Sequence, residues 1–152
     1  GLVCVSDIAV ASTTVTMGLP EVRLGIAPSF ISPYVLQRIG LTRARELMLM
    51  GARFNGQTAL DYGFVHYVCK PDQLDQKIDD LLKEIQYCAP GAIAAIKRLM
   101  FAVDNQPTEK TVDYRADLLN ELRTGEEGQE GMLSFIEKRP AKWVIQGESD
   151  AP

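Results

Sequence analysis

The chain has 152 residues, 46% of them hydrophobic and 24% charged, which is globular composition with enough length to bury a core and excludes disorder as a description of the whole. Sixteen Lys plus Arg against twenty Asp plus Glu leave a net charge of -4, without the concentrated basic face that duplex binding needs, so nucleic acid is not an expected partner. The longest apolar stretches, such as 8–11 and 92–96, fall far short of the ~20 residues that cross a bilayer, and no membrane span is expected.

The chain opens inside an apolar run, Gly1-Leu-Val-Cys-Val5, as if a preceding element had been cut. Residues 1–30 are Gly-rich and β-branched, and the runs 8–11 and 14–17 are predicted to be two short strands. Ser32-Pro33 is read as a helix start, Ser as N-cap and Pro at N1, with Val35, Leu36 and Ile39 on one face and Gly40 as the stop. A second helix follows over 41–50, carrying Ala44, Leu47 and Met48 at helical spacing and ending at Gly51. Residues 57–62 repeat the pattern up to Gly63, and 64–68 form a β-rich run before Lys70-Pro71.

Beyond residue 70 the pattern is helical. Leu74, Ile78, Leu81, Leu82 and Ile85 make an amphipathic helix ending near Cys88, before Pro90. Ile93, Ile96, Leu99, Met100 and Val103 stripe a second helix, and Thr108 caps a third through Tyr114, Leu118, Leu119 and Leu122. Thr124-Gly-Glu-Glu127 has the spacing of a capping box and opens a fourth helix, with Met132, Phe135 and Ile136 inside and residues 137–139 outside, stopped by Pro140. The last dozen residues are expected to fray. A β-containing first fifth and a helical remainder make a lopsided α/β arrangement, and its further strands are expected upstream of Gly1.

Few residues are placed for chemistry. Cys4, Cys69 and Cys88 fit no ligand spacing, and with one His no metal site is expected; the thiols are read as buried and free, in a reducing compartment. The first residues lack a basic leader region. The segment 17–28, Met-Gly-Leu-Pro-Glu-Val-Arg-Leu-Gly-Ile-Ala-Pro, sets one carboxylate, Glu21, between apolar neighbours on a loop leaving a strand. Loops on a rigid scaffold are where catalytic groups concentrate, and apolar walls penalise the charged carboxylate and suit it to proton transfer. The alternative is that Glu21 pairs with Arg23 or caps the following turn. His66 has no nucleophile in a triad-like context, and Asp7 is read as a junction residue bonding nearby amides. Arg38, Arg43, Arg45 and Arg53 offer either a phosphate-binding patch or a solvated face with ion pairs. Neither a Walker loop nor GxGxxG is present.

Five elements carry a resemblance. Ser6-Asp-Ile-Ala-Val-Ala-Ser12, the segment 17–28, Arg38-Ile-Gly40 with Glu46-Leu-Met-Leu-Met-Gly51, Ala59-Leu-Asp-Tyr-Gly-Phe-Val65 and Glu130-Gly-Met-Leu-Ser-Phe-Ile-Glu-Lys-Arg139 look like the second half of the enoyl-CoA hydratase/isomerase (crotonase) superfamily. Ile31-Ser-Pro-Tyr34 is most similar to the methylglutaconyl-CoA and isohexenylglutaconyl-CoA hydratase branch.

The resemblance implies an α/β fold, the second half of a crotonase-like ββα spiral core over 1–68 plus a helical trimerisation region over 69–152. It makes the chain the C-terminal portion of a domain longer by on the order of a hundred residues. It implies an enoyl-CoA hydratase adding water across C2=C3, with no permanently bound cofactor and the acyl group carried as a coenzyme A thioester. In the family a backbone oxyanion hole stabilises the enolate, and both of its donors are expected upstream of Gly1. Glu21 matches the glutamate that exchanges a proton at C2, whereas the family's other glutamate falls on Gly1. Isomerases of the family work with one glutamate at the Glu21 position, so an isomerase stays open, as does a non-catalytic oligomer. Leu19, Pro28, Phe30 and Ile31 are expected to line the acyl pocket. Phe135 and Lys138 fall on the helix that lends coenzyme A contacts to a neighbour in a homotrimer or dimer of trimers. The expected compartment is the cytoplasm, or the mitochondrial matrix in a eukaryote.

Overall fold

The computed structural model describes residues 1–145. Most of the tail expected to fray, 146–152, lies outside the described residues. The chain divides into two compact units, Gly1–Asp80 and Leu81 onward.

The first unit begins with a single helical turn, α1 (Leu2–Val5), where the opening apolar run stands. Strand β1 (Val10–Ser12) and strand β2 (Thr16–Gly18) follow, each displaced by one to two residues from its predicted run. They belong to different ladders. β1 pairs in parallel with β4 (Tyr67–Cys69), Ala11 opposite Val68, and β2 pairs antiparallel with β3 (Arg53–Asn55), Met17 opposite Phe54. β3 carries too little signal of its own in the sequence: three residues, polar–apolar–polar, are too short a run to announce a strand, and the pairing with β2 makes them one.

Helix α2 (Ser32–Met50) is broken at Gly40, whose φ of 73° and ψ of 166° are non-helical, so the two predicted helices are present and joined end to end. Val35 and Ile39 before the break, and Ala44 and Leu47 after it, supply the centre of the core. Leu36, expected inside, is exposed. Ser32 is not the cap: Ile31 takes that position, Ser32 is the first helical residue, and its hydroxyl donates to the Ser29 carbonyl at 3.0 Å. Helix α3 (Gly56–Asp61) is capped by Asn55, whose side-chain oxygen accepts from Thr58 N–H at 3.0 Å. Ala59, Phe64 and Val65 close the core from below, and Phe64 stacks on Phe54 with ring centroids 5.4 Å apart.

Helix α4 (Leu74–Gln86) starts in the first unit and ends in the second. The second unit continues with α5 (Pro90–Val103), α6 (Val112–Thr124) and α7 (Glu126–Glu137). Here the predicted stripes are only half right. On α5 the buried residue is Ala95, while Ile96 and Met100 are exposed. On α7 the buried pair is Glu130 and Ser134, while Phe135 (85% exposed), Ile136 and Met132 face outward in the single chain. The capping box does not close. Thr124 Oγ1 donates back to the Asn120 carbonyl at 2.8 Å, Gly125 is the N-cap of α7, and Glu127 reaches instead to Gly91 N–H (3.0 Å) and Ala92 N–H (3.2 Å) at the start of α5. A carboxylate takes the strongest unsatisfied donors within reach, and the first turn of another helix offers two.

Cys4 and Cys69 are half-buried, but Cys88, expected inside, is exposed with its thiol on the Glu84 carbonyl. Burial raises the Cys4 thiol pKa above its ordinary value. Among the described residues no helix is long and apolar enough to cross a membrane.

Candidate active site

Glu21 stands on a single 3-10 turn, Pro20–Leu24, immediately after β2. Pro20 pre-sets the first φ of that turn and gives up an N–H that had no partner to lose. Leu19, only 6% exposed, plants the entrance of the turn in the core. At the exit, the N–H groups of Gly25 and Ile26 fold back, Ile26 N–H donating to the Glu21 carbonyl at 3.2 Å. The backbone around Glu21 is thus held at both ends.

The side chain is held differently. Its Oε2 is buried and has no hydrogen-bond partner among the described residues. A buried polar atom left without a partner costs about 1–3 kcal/mol, which proteins retain mainly where the atom has another task. The alternative pairing with Arg23 is not formed: Arg23 Nε donates to the Met50 carbonyl at 3.2 Å.

The other residues singled out by the sequence are scattered in role. Pro28 and Ile31 are half-buried, and Phe30 is 94% exposed, at the entrance to α2. A Cβ built on Gly1 would lie 3.3 Å from Ile31 Cγ2, so the start of α1 and the 28–31 segment abut. Lys138 is the residue after α7 and adopts a left-handed φ of 53°. Asp7 lies in the bend between α1 and β1.

Two of the four candidate arginines are engaged within the first unit. Arg38 is a clamp inside the first unit, with Nε on the Phe64 carbonyl and Nη1 on the Ser6 carbonyl, both at 3.0 Å, and Nη2 3.3 Å from His66 Nδ1. That Nδ1 also accepts from Ala9 N–H at 3.0 Å, which requires the ring to be unprotonated there. Burial first, and the Arg38 charge second, lower the His66 pKa below its ordinary value. Arg43 lies over the Tyr62 ring, 5.5 Å from its centroid. Tyr62 in turn donates to Glu46 Oε2 at 2.7 Å, and that bond raises the phenol pKa above its ordinary value. This pair lines an open groove of about 570 Å³ with Thr16, Arg53, Phe54, Asn55 and Thr58; Arg53 is the one arginine of the candidate set that reaches it, and neither Glu21 nor the expected acyl contacts do.

The second unit holds a contrasting carboxylate. Glu130, 9% exposed, accepts from Arg139 Nη1 at 2.6 Å and Nη2 at 3.1 Å and from Lys142 N–H at 3.0 Å, and Lys142 Nζ lies 3.4 Å away. The bonds from Arg139 outweigh the opposing effect of burial and, with those from Lys142, lower the Glu130 pKa to about 2. Arg139 also pairs with Glu137 at 2.6 Å. Every acceptor lone pair worth using is taken, so this carboxylate is a clasp and not a proton carrier.

Residues 1–146 match the family model described as enoyl-CoA hydratase/isomerase. The chain belongs to the enoyl-CoA hydratase/isomerase family. It is similar to the solved structure of Pseudomonas aeruginosa AtuE, with a TM-score of 0.92 and 43% identity, over 95% of this chain and 57% of that one. Among curated relatives it is 28% identical over 140 residues to a trans-2-decenoyl-[acyl-carrier-protein] isomerase from Streptococcus mutans, covering 91% of this chain and 53% of that protein. It is 30% identical over 147 residues to a carnitinyl-CoA dehydratase from Shigella flexneri, covering 93% of this chain and 56% of the relative. The chain therefore spans about half the length of the curated relatives it matches. The helix-rich α/β architecture with few strands is that of a partial crotonase-like fold.

Proposed function

We propose that this chain carries the proton-transfer carboxylate of an enzyme that hydrates an enoyl-CoA thioester, and that Glu21 is that carboxylate. The buried, unpartnered Oε2 at the head of a doubly anchored turn is the observation that carries the reading. In the proposed step Glu21 delivers a proton to C2 as the oxygen of water bonds to C3, and recovers a proton from that water. A carboxyl with no competing protein partner is free to give that proton and take the next one. The substrate brings its own coenzyme A, so no resident cofactor is required.

Leu19, Pro28, Phe30 and Ile31 are the proposed acyl contacts. Ile31-Ser-Pro-Tyr34 favours a branched glutaconyl-type acyl chain, of the kind met in leucine or acyclic terpenoid catabolism. The proposed domain division is a core over 1–68 and, over 69–152, helices for oligomerisation and pocket closure. Phe135 and Lys138 at the end of α7 are the proposed coenzyme A contacts to a neighbouring copy in a homotrimer or dimer of trimers. The proposed compartment is the cytoplasm, or the mitochondrial matrix in a eukaryote.

A second reading is favoured by Gly1, which stands where the family's other glutamate falls and brings no carboxylate to hold water. In that reading Glu21 alone removes a proton from one carbon and returns it to another, and the enzyme is an enoyl-CoA isomerase. The similarity to a decenoyl isomerase supports it. The test is turnover of a panel of enoyl-CoA thioesters, beginning with crotonyl-CoA, in ¹⁸O-labelled water by the protein expressed from its native gene. Hydration puts label in the product and isomerisation does not. Acyl-CoA binding without turnover of any panel member would leave only a non-catalytic oligomer.

A further inference from the structure

We infer that Arg23, seated on Gly51, is the positioning residue that holds the Glu21 carboxyl in its working orientation. The inference rests on the reading of Glu21 as the proton-transfer group and adds how the fold holds it.

A one-turn 3-10 helix cannot fix a side chain by itself, because it contributes too few internal hydrogen bonds to resist rotation. The turn bearing Glu21 therefore needs outside anchors. Leu19 is one, buried upstream of the carboxylate. The other lies downstream, at the C-terminal end of α2. The last four carbonyls of a helix have no intrahelical donor, and a guanidinium placed there satisfies one of them while facing the negative end of the helix dipole. Arg23 Nε does this at the Met50 carbonyl, 3.2 Å away. The carboxylate is thus bracketed, two residues from an anchor on either side.

Gly51 makes the contact possible on two independent counts. It ends α2 with a left-handed φ of 58°, its N–H donating to the Leu47 carbonyl at 2.9 Å. It also leaves open the space the turn occupies: a Cβ at residue 51 would lie 2.9 Å from Val22 Cγ1 and 3.1 Å from Arg23 Cγ. Those are the two residues directly after Glu21. Any side chain at 51 pushes on the segment that aims the carboxylate. Because proton transfer depends on placement within a fraction of an ångström, a small displacement here costs rate while leaving remote thioester contacts in place.

The experiment is steady-state kinetics on the protein expressed from its native gene, with the panel thioester it turns over fastest, for Arg23→Met, Arg23→Lys, Gly51→Ala and Glu21→Gln. Arg23→Met keeps the packing stem and loses the donor. The expected result is a fall in kcat on the order of tenfold with KM within about twofold, recovered mostly by Arg23→Lys, whose ammonium can also reach the carbonyl. Gly51→Ala lowers kcat further. Unchanged kcat in Arg23→Met, or kcat and KM that worsen together and are not rescued by lysine, overturns the positioning role. Glu21→Gln separates the two levels. If it abolishes turnover while Arg23→Met behaves as wild type, the positioning role of Arg23 alone is wrong. If Glu21→Gln retains turnover, the acid–base reading is wrong and the positioning role falls with it.

Discussion

Glu21 in the first unit and Glu130 in the second both withdraw from solvent, and the two units treat them in opposite ways. Glu130 in the second unit is saturated: a bidentate arginine, a backbone N–H and a lysine ammonium converge on it. Glu21 in the first unit has its backbone fixed at both ends and its Oε2 left without a donor. The first arrangement satisfies the carboxylate; the second leaves a buried oxygen unsatisfied, which on the proposed reading is what frees it for proton transfer.

The largest expected effect breaks the comparison directly. Glu21→Gln should lower kcat by about a hundredfold to ten-thousandfold, the range of a lost general acid–base group, and Glu21→Leu should leave the melting temperature equal or higher because it removes an unpaired buried oxygen. Kinetics and thermal melts on the same preparations check both. Glu130→Gln should do the reverse, lowering the melting temperature of the second unit because the Arg139 guanidinium loses the more buried of its two charged partners.

Acid sharpens the same contrast. Because the folded-state pKa of Glu130 is about 2, against 4.5 for an unperturbed glutamate, its contribution to stability is complete above pH 4.5 and is lost as pH falls toward 2. Melts of wild type and Glu130→Gln across that interval should converge at the acid end. A gap that stays constant with pH would mean the clasp is not ionic.

Smaller effects probe the framework of each unit. Glu127→Ala should cost about 1 kcal/mol in chemical denaturation, the usual worth of a lost helix cap, through α5 and not through its own helix. In the first unit His66 accepts from Ala9 N–H while neutral, and its folded pKa lies below 6.5. Its contribution is therefore present above pH 6.5 and is lost as pH falls through the lowered folded value, a decline that His66→Asn should flatten.

Much of this was legible in the sequence, and the parts that were not share a cause. The core face of α2 follows from the spacing of Val35, Ile39, Ala44 and Leu47, and its break from Gly40, because these depend on one element's own periodicity. Glu21 could be picked out because apolar neighbours isolate it within its own segment. What failed depends on distant partners. β3 exists only through β2, Glu127 serves N–H groups 36 and 35 residues earlier in sequence, and Arg23 answers a carbonyl 27 residues away. On α5 a small residue, Ala95, takes the buried position that hydropathy gave to Ile96, since close approach favours small side chains. A Gly immediately after a predicted helix and an Arg two residues past an isolated Glu were visible, but nothing local joined them.

The central claim is that Glu21 moves the proton at the carbon next to the thioester carbonyl. The most direct measurement is deuterium incorporation at C2 of the thioester in D₂O, followed by mass spectrometry for wild type and Glu21→Gln. The account predicts one solvent deuterium at C2 per turnover for wild type, and loss of both turnover and exchange in Glu21→Gln with thioester affinity retained. Exchange at C2 that proceeds at the wild-type rate in Glu21→Gln would contradict it.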